Sequence, residues 1–171
     1  MIKTSLRIAS LLSMLTLLVS ACQPLPRVPP TQSAPAAPSN ADAEAANKAV
    51  VQRFYEEVVN QKHLEVMGKL TDSKFLPHDL GAPGDIGEVL KGMPDVKATV
   101  SLWVVEGDLV TAVVTFKGTH TGTWMGVAPT GKPVTFSIID IWRVKGDMLT
   151  ELWHNVPTSD MLAQISPAPA K

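Results

Sequence analysis

The sequence predicts an α+β domain in which helices near its N-terminal side pack against a curved antiparallel β-sheet. Segments with a helical spacing of apolar residues precede Pro94, and segments rich in Val, Ile, Thr, Trp and Phe follow it. Short turns that contain Gly or Pro separate the later segments, as in a meander of consecutive strands. Helices first and strands second are typical of the α+β class.

Residues 1–21 are predicted to be an export signal that precedes this domain. Lys3 and Arg7 are followed by an apolar run over residues 8–18, and the small residues Ser20 and Ala21 come next. The apolar run is too short to span a bilayer comfortably. The alternative, a buried N-terminal helix, would need a polar face that this stretch lacks.

Cys22, the single cysteine of the chain, directly follows Leu18-Val19-Ser20-Ala21. This arrangement resembles the lipobox of bacterial lipoproteins, in which the cysteine carries the lipid and becomes the mature N-terminus. The alternative is an ordinary signal peptide followed by an unrelated cysteine, but a lone exported thiol would be unusual. The resemblance implies a lipid anchor in the cell envelope, and Gln23 is compatible with the outer membrane of a Gram-negative cell.

The segment over residues 22–44 is predicted to be an extended tether. It is dominated by Pro, Ala, Ser and Gln, so it cannot bury enough apolar surface to offset its ordering entropy. The short tail over residues 167–171 is also predicted to be disordered. The folded domain is therefore expected over residues 45–166.

The first half of the domain is predicted to form mainly helices. Ala49, Val50, Phe54 and Val58 share one helical face, which indicates a first helix that ends near Asn60. Three shorter elements are expected after it: a helix over about 64–70, a strand over 75–78 and a helix over 85–91.

The second half is predicted to form four long strands and a last short helix from Thr158 to Ile165. Gly107-Asp108, Gly146-Asp147 and the loop over residues 127–132 separate the strands. The strands are expected over residues 97–106, 109–122, 134–145 and 148–156.

Three ionisable residues, His120, Asp140 and His154, are the main candidates for a functional site. Asp140 lies between Ile138 and Trp142 on a face that is otherwise apolar, and His120 continues the apolar face of the preceding strand. A buried carboxylate without a partner is costly, so it should be paired, neutral or beside a cavity.

A hairpin that turns at Asp147 would place Asp140 opposite His154. A slip of one residue would move His154 to the other face of the sheet. His120 is expected to approach this carboxylate–imidazole pair from the neighbouring strand. The same register predicts two further pairs: Trp142 with Leu152, and Val144 with Thr150.

A His–Asp pair in an apolar hollow can exchange protons near neutral pH. Asp140 and His154 are therefore the predicted acid–base residues, and His120 is predicted to orient the substrate or stabilise an enolate. One alternative is a structural ion pair inside the sheet. Another is a zinc ion bound by the two histidines and Asp140, although nothing in the spacing requires it.

An apolar pocket around these residues would be lined by aromatic side chains. The candidates are Phe116, Trp124, Phe136 and Trp142, together with His78. Such aromatic residues more often form plain core. Trp153, which adjoins His154, should point to the opposite face.

Several other kinds of chemistry are not indicated. The chain has no G-x-S-x-G nucleophile motif, no P-loop and no dinucleotide fingerprint. Without residues 1–21, 13 of the 15 basic residues remain against 16 acidic ones, which argues against a nucleic-acid partner. The expected partner is a small apolar organic molecule, in addition to the membrane that would hold the anchor.

Four short motifs follow one another in the second half of the chain: Gly118-Thr119-His120-Thr121-Gly122, Pro129-Thr130-Gly131-Lys132, Asp140-Ile141-Trp142-Arg143-Val144 and Glu151-Leu152-Trp153. In this order they resemble the SnoaL-like polyketide cyclases, also called ester cyclases, of the nuclear transport factor 2-like superfamily. The resemblance covers about residues 47–165. It implies a cystatin-like cone of curved sheet closed by helices, with an inner hydrophobic pocket. It also implies an intramolecular aldol reaction without cofactor or metal, and dimers are common in the family.

Family members often carry a carboxylate directly after the last-strand Trp, where this chain has His154. With Asp140 on the opposite strand, the resemblance implies an acid–base pair whose members are exchanged. Three functions stay open at this point: a cofactor-free enzyme for a small carbonyl compound, a ligand-binding lipoprotein without turnover, and an envelope-assembly module with a vestigial pocket.

Overall fold

The computed structural model describes residues 40–79 and 85–166. The predicted export signal, Cys22, most of the predicted tether and the tail over residues 167–171 lie outside the described residues. The end of the predicted tether is corrected, because residues 40–44 already belong to the first helix.

The first helix, α1, runs over Asn40–Arg53 and continues without a break as a π-helix over Phe54–Asn60. In an α-helix, a residue four positions along the chain is rotated by about 40° around the helix axis relative to the first, because one turn takes 3.6 residues. The π-helix has more residues in each turn, so four residues there fall short of a full turn and the rotation is reversed. Pairs of neighbouring residues that recur every four positions therefore keep facing the sheet. These buried pairs are Val50 and Val51, Phe54 and Tyr55, and Val58 and Val59.

Four short helical elements and one further strand accompany the first helix and the four long strands. A 3₁₀ turn over Leu64–Val66 runs into α2 (Met67–Leu70), and the chain then extends into β1 (Thr71–Asp79). Helix α3 covers Ile86–Gly92 and is capped at its N-terminus by Asp85, whose carboxylate accepts a hydrogen bond from the Gly87 N–H at 2.8 Å. After the sheet, α4 covers Thr158–Ile165 as predicted.

The sheet has five strands in the order β1-β5-β4-β3-β2. Strands β2 (Lys97–Glu106), β3 (Leu109–Thr119), β4 (Pro133–Lys145) and β5 (Met148–His154) form the expected antiparallel meander. Strand β1 is longer than predicted and pairs with β5 in parallel. This pairing left no trace in the sequence, because the two strands lie about 70 residues apart and share no turn.

Strand β3 ends at Thr119, three residues before the predicted end, because the chain turns there to contact the end of α3. The N–H groups of Thr121 and Gly122 both donate to the Gly92 carbonyl, at 3.1 and 3.0 Å. A Cβ atom at Gly122 would lie 1.9 Å from the Lys91 carbonyl oxygen, so only glycine fits this approach. Strand β5 likewise ends at His154 rather than at residue 156.

The core lies between the helices and one face of the sheet. From Val110 to Phe116 on β3 and from Val134 to Val144 on β4, every second residue of the strand lies on that face and is buried, as the alternation predicted. The opposite face is more open, and Leu102, Val104 and Ile139 on it are more than half exposed. Among residues 40–79 and 85–166, no helix is long and apolar enough to cross a membrane.

Candidate functional site

Asp140 on β4 lies directly opposite His154 on β5, in the predicted register. Both side chains are buried, with 3% and 7% of their surface exposed. Nearer the turn the register differs from the prediction, since Val144 faces Leu149 rather than Thr150. The register shifts by one residue between Arg143 and Val144, where Thr150 is the extra residue, and this bulge brings His154 rather than Trp153 opposite Asp140.

The two side chains are close enough to form an ion pair but too far apart for a hydrogen bond. His154 Nδ1 lies 3.6 Å from Asp140 Oδ1, beyond the usual range for a hydrogen bond. Within the described part of the chain, Oδ1 accepts no hydrogen bond. Contacts between catalytic groups are often long in ligand-free proteins and shorten when substrate binds, so this geometry is compatible with an acid–base pair.

Tyr55, which was not predicted from the sequence as a site residue, holds the other carboxylate oxygen. Its O–H donates to Asp140 Oδ2, and the indole Nε1 of Trp142 donates to the Tyr55 oxygen at 3.2 Å. Only 3% of Tyr55 is exposed. The four-residue spacing of adjacent apolar pairs on the helix was the signal that could have placed Tyr55 beside Phe54 in the core.

The hydroxyl of Tyr55 stays protonated in this setting. Burial raises the pKa of Tyr55 well above its ordinary value of 10.0, and the negative charge of Asp140 and the hydrogen bond to it raise the pKa further. Tyr55 is therefore a neutral hydrogen-bond donor to the carboxylate over the whole physiological range.

Because Tyr55 is the single tyrosine of the chain, its ionisation can be followed directly. The folded pKa lies above the unfolded one, so the stabilisation by neutral Tyr55 is fully present below pH 10.0 and is lost as the pH rises further. We expect tyrosinate absorbance to appear only when alkali unfolds the protein, and near the ordinary pKa in denaturant. Tyrosinate absorbance near pH 10.0 in a protein whose circular dichroism spectrum is still native would contradict this expectation. The Tyr55→Phe variant, which has no tyrosine, gives the background absorbance to subtract.

A small inner cavity of about 60 Å³ lies beside the pair, and both Asp140 and His154 line it. It adjoins a wider cleft of about 470 Å³. His154 lines the cleft as well. The walls shared by the two spaces are otherwise apolar: Phe54, Ile86, Trp142 and Leu152.

Three of the predicted pocket residues, Phe116, Phe136 and Trp142, line the inner cavity. Trp124 is buried behind this wall, with its ring centroid 6.1 Å from that of Phe136. It belongs to the core around the cavity rather than to the lining.

His78 lies on the other face of the sheet, which corrects its assignment to the pocket. The parallel pairing of β1 with β5 places His78 beside Trp153, and the two rings stack with centroids 4.5 Å apart. His78 Nε2 lies 2.9 Å from Glu151 Oε2. Since Trp153 faces away from the Asp140 side, as its position next to His154 predicted, His78 does too.

His120 is fully buried on the same face as Asp140 but does not join the pair. Asp140 faces Ala112, and His120 lies eight positions further along the chain than Ala112, roughly 25 Å of extended strand. The stacked rings of Phe116 and Phe136 lie between them. His120 instead fixes the base of the β3–β4 loop, with Nδ1 3.0 Å from the Thr130 hydroxyl. The predicted role of His120 beside the pair is therefore wrong.

The same distance argues against the alternative of a zinc ion bound by the two histidines and Asp140, because His120 lies too far from the other two residues. Among residues 40–79 and 85–166, no group of three or more His, Cys, Asp or Glu side chains is arranged to hold a metal ion.

The sequence matches a known protein family, and the fold resembles those of several solved structures. Residues 49–165 match the family described as SnoaL-like polyketide cyclase. IdmH from Streptomyces antibioticus, a candidate polyketide cyclase, is 28% identical and aligns over 69% of this chain and 96% of its own, with a TM-score of 0.60. The comparison with curated proteins returned no match.

Two further solved structures are similar in fold. A candidate SnoaL-like polyketide cyclase from Jannaschia sp. CCS1 is 19% identical over 78% of this chain and 99% of its own, with a TM-score of 0.67. AclR from Streptomyces galilaeus, a candidate hydroxylase, is 22% identical over 75% of this chain and 85% of its own, with a TM-score of 0.66. These likenesses confirm the predicted cone-like α+β fold.

Proposed function

Because the chain belongs to the SnoaL-like polyketide cyclase family, we propose that the domain catalyses cofactor-free acid–base chemistry on a small carbonyl compound. One observation carries the proposal. The Asp140 carboxylate lies in the wall of a cavity, and one of its oxygens faces the imidazole of His154. Ionisable groups buried beside a cavity are the usual mark of a catalytic site.

The chemistry that suits this pair begins with proton abstraction. The imidazole of His154 takes a proton from a carbon next to a carbonyl group, and Asp140 stabilises the imidazolium that forms. The resulting enolate carbon attacks a second carbonyl carbon of the same molecule and forms a carbon–carbon bond. The imidazolium then returns its proton to the new alkoxide oxygen, so the product is an isomer of the substrate and no electrons are gained or lost.

The surroundings support an apolar ligand with few polar groups. The lining of the inner cavity is apolar apart from Asp140 and His154. The adjoining cleft adds the apolar side chains of Leu64, Met67 and Phe75 and one carboxylate, that of Asp85. Its volume of about 470 Å³ falls in the range of small-molecule sites. The reacting carbonyl would lie at His154, where the two spaces meet.

A second candidate function is ligand binding without turnover. The inner cavity, at about 60 Å³, admits only a small group, and one Asp140 oxygen is already engaged by Tyr55. Both features would suit a structural carboxylate at the end of a binding cleft.

Exchange of α-protons separates the two functions. The purified domain is incubated in deuterated buffer with a series of β-keto esters of increasing apolar size, and deuterium uptake is followed by NMR. We expect uptake well above the buffer rate for esters that bind. If the domain binds such compounds and uptake stays at the buffer rate, the non-catalytic function is the correct one.

We also propose that Cys22 carries a lipid that anchors the domain in the cell envelope. Support comes from the apolar run and small residues before the single cysteine. We expect Cys22→Ser to abolish both labelling by a fatty-acid probe and removal of residues 1–21, while Ser33→Ala leaves both intact. Normal processing and labelling of Cys22→Ser would refute the anchor.

A further inference from the structure

Three buried side chains form a hydrogen-bonded row that ends at the proposed acid–base pair. Trp142 Nε1 donates to the Tyr55 oxygen, and the Tyr55 hydroxyl donates to Asp140 Oδ2. The remaining carboxylate oxygen, Oδ1, is the one that faces His154 Nδ1. Each carboxylate oxygen of Asp140 thus has a different neighbour.

We propose that Tyr55 is a positioning residue for the acid–base pair, which it serves by holding one oxygen of Asp140 so that the other faces His154. This inference rests on the function proposed above. Tyr55 lines neither the inner cavity nor the adjoining cleft, so it acts through Asp140 rather than on the substrate.

The fold fixes Tyr55 from two sides. Tyr55 belongs to the π-helical segment, and its ring packs edge-on against Phe54, with centroids 5.2 Å apart. Trp142 lies two residues from Asp140 on the same face of β4, and its N–H occupies a lone pair of the tyrosine oxygen. With that lone pair occupied, the hydroxyl proton is directed at Asp140, and the carboxylate cannot rotate without losing the bond.

The hydrogen bond from Tyr55 to the carboxylate is also a strong one. A donor to an ionised acceptor makes a stronger bond than a neutral pair does, and a row of such bonds in a low-dielectric interior strengthens each member. The ionisable groups that face Asp140 are Tyr55 from the helix and His154 from β5, whereas Ala112 faces it from β3. Tyr55 is therefore the neutral donor that supports the anion opposite the histidine.

The test compares Tyr55→Phe with the wild-type domain in the α-proton exchange assay. Phenylalanine keeps the ring packing and removes the hydroxyl. We expect the exchange rate to fall by about 10- to 100-fold, the effect of losing one hydrogen bond to a charged group. Binding of a non-exchangeable apolar ketone should change little. The rate–pH profile should also change, because the hydroxyl that holds Asp140 opposite His154 is gone.

Trp103→Phe is the matched control, since Trp103 also packs edge-on against Tyr55, with centroids 6.0 Å apart, but donates it no hydrogen bond. A histidine NMR titration gives a readout that does not depend on turnover. We expect the His154 titration midpoint to move in Tyr55→Phe and to stay unchanged in Trp103→Phe.

The outcomes separate this inference from the proposed function. If Tyr55→Phe keeps the wild-type rate, pH profile and His154 midpoint, the positioning role is overturned while the enzymatic function stands. If the wild-type domain shows no exchange and yet the His154 midpoint moves in Tyr55→Phe, the enzymatic function fails, whereas the coupling of Tyr55 to the pair is supported.

Discussion

His154→Gln is expected to lower the rate of α-proton exchange by about 10²- to 10⁴-fold, the usual contribution of a general acid–base residue. Glutamine can hydrogen-bond but cannot take a proton near neutral pH. Asp140→Asn should lower the rate in the same direction, because an amide does not stabilise an imidazolium as a carboxylate does. The rate is measured by deuterium uptake into a β-keto ester under saturating conditions.

Two controls lie away from the pair, one on the outer face of β1 and one in the turn between β2 and β3. His78→Gln removes a histidine that stacks on Trp153, and Asp108→Asn removes a carboxylate that pairs with Arg143 at 2.8 Å. Both variants should exchange at the wild-type rate. If His154→Gln and Asp140→Asn remain folded, bind the ester and exchange it as fast as these controls, the pair is structural.

The second large effect is expected at Trp142, where Trp142→Ala should lower the free energy of unfolding by about 3–5 kcal/mol. Only 1% of Trp142 is exposed, and its ring lies 4.7 Å from Phe54 and 6.3 Å from Phe75, measured between centroids. Removal of the indole leaves a void between helix and sheet and deprives Tyr55 of its donor. Urea denaturation followed by circular dichroism gives the change.

Trp153→Ala is the matched control for this variant. Trp153 is half-buried on the outer face, where His78 stacks on it and the Arg143 guanidinium lies 5.5 Å from its ring centroid. Its loss should cost clearly less, because solvent can fill the space. Equal destabilisation by the two substitutions would show that Trp142 is not a central core residue.

The position of Asp140 opposite His154 was predicted from the alternation of apolar residues together with a turn centred at Asp147. Apolar residues alternate on both sides of Asp140, but the observed two-residue turn at Gly146-Asp147 would by itself place Trp153 opposite Asp140. The bulge at Arg143 was not predictable, since no glycine or proline marks it. Its extra residue, Thr150, restores the predicted register at the site, and for that reason the predicted pairing of Asp140 with His154 is confirmed.

The positions of His120 and His78 relative to the site could not be predicted from local sequence patterns. Alternation correctly placed His120 on the buried face, but a shared face says nothing about distance along the strand. His78 was misplaced because its position depends on a parallel pairing between distant segments, which no local pattern encodes. Tyr55 was missed because the helical pattern was fitted to a 3.6-residue turn, whereas the segment that carries it is a π-helix.

The close approach at Gly122 has a mechanical consequence. Ile86 and Val89 on α3 line the inner cavity, and the end of the same helix fits against the loop after β3 with no room for a side chain. The two N–H groups that donate to the Gly92 carbonyl prevent the loop from sliding along the helix. Helix α3 and this loop must therefore shift as one rigid unit, so any molecule that widens the cavity by displacing α3 also displaces the loop that carries Trp124.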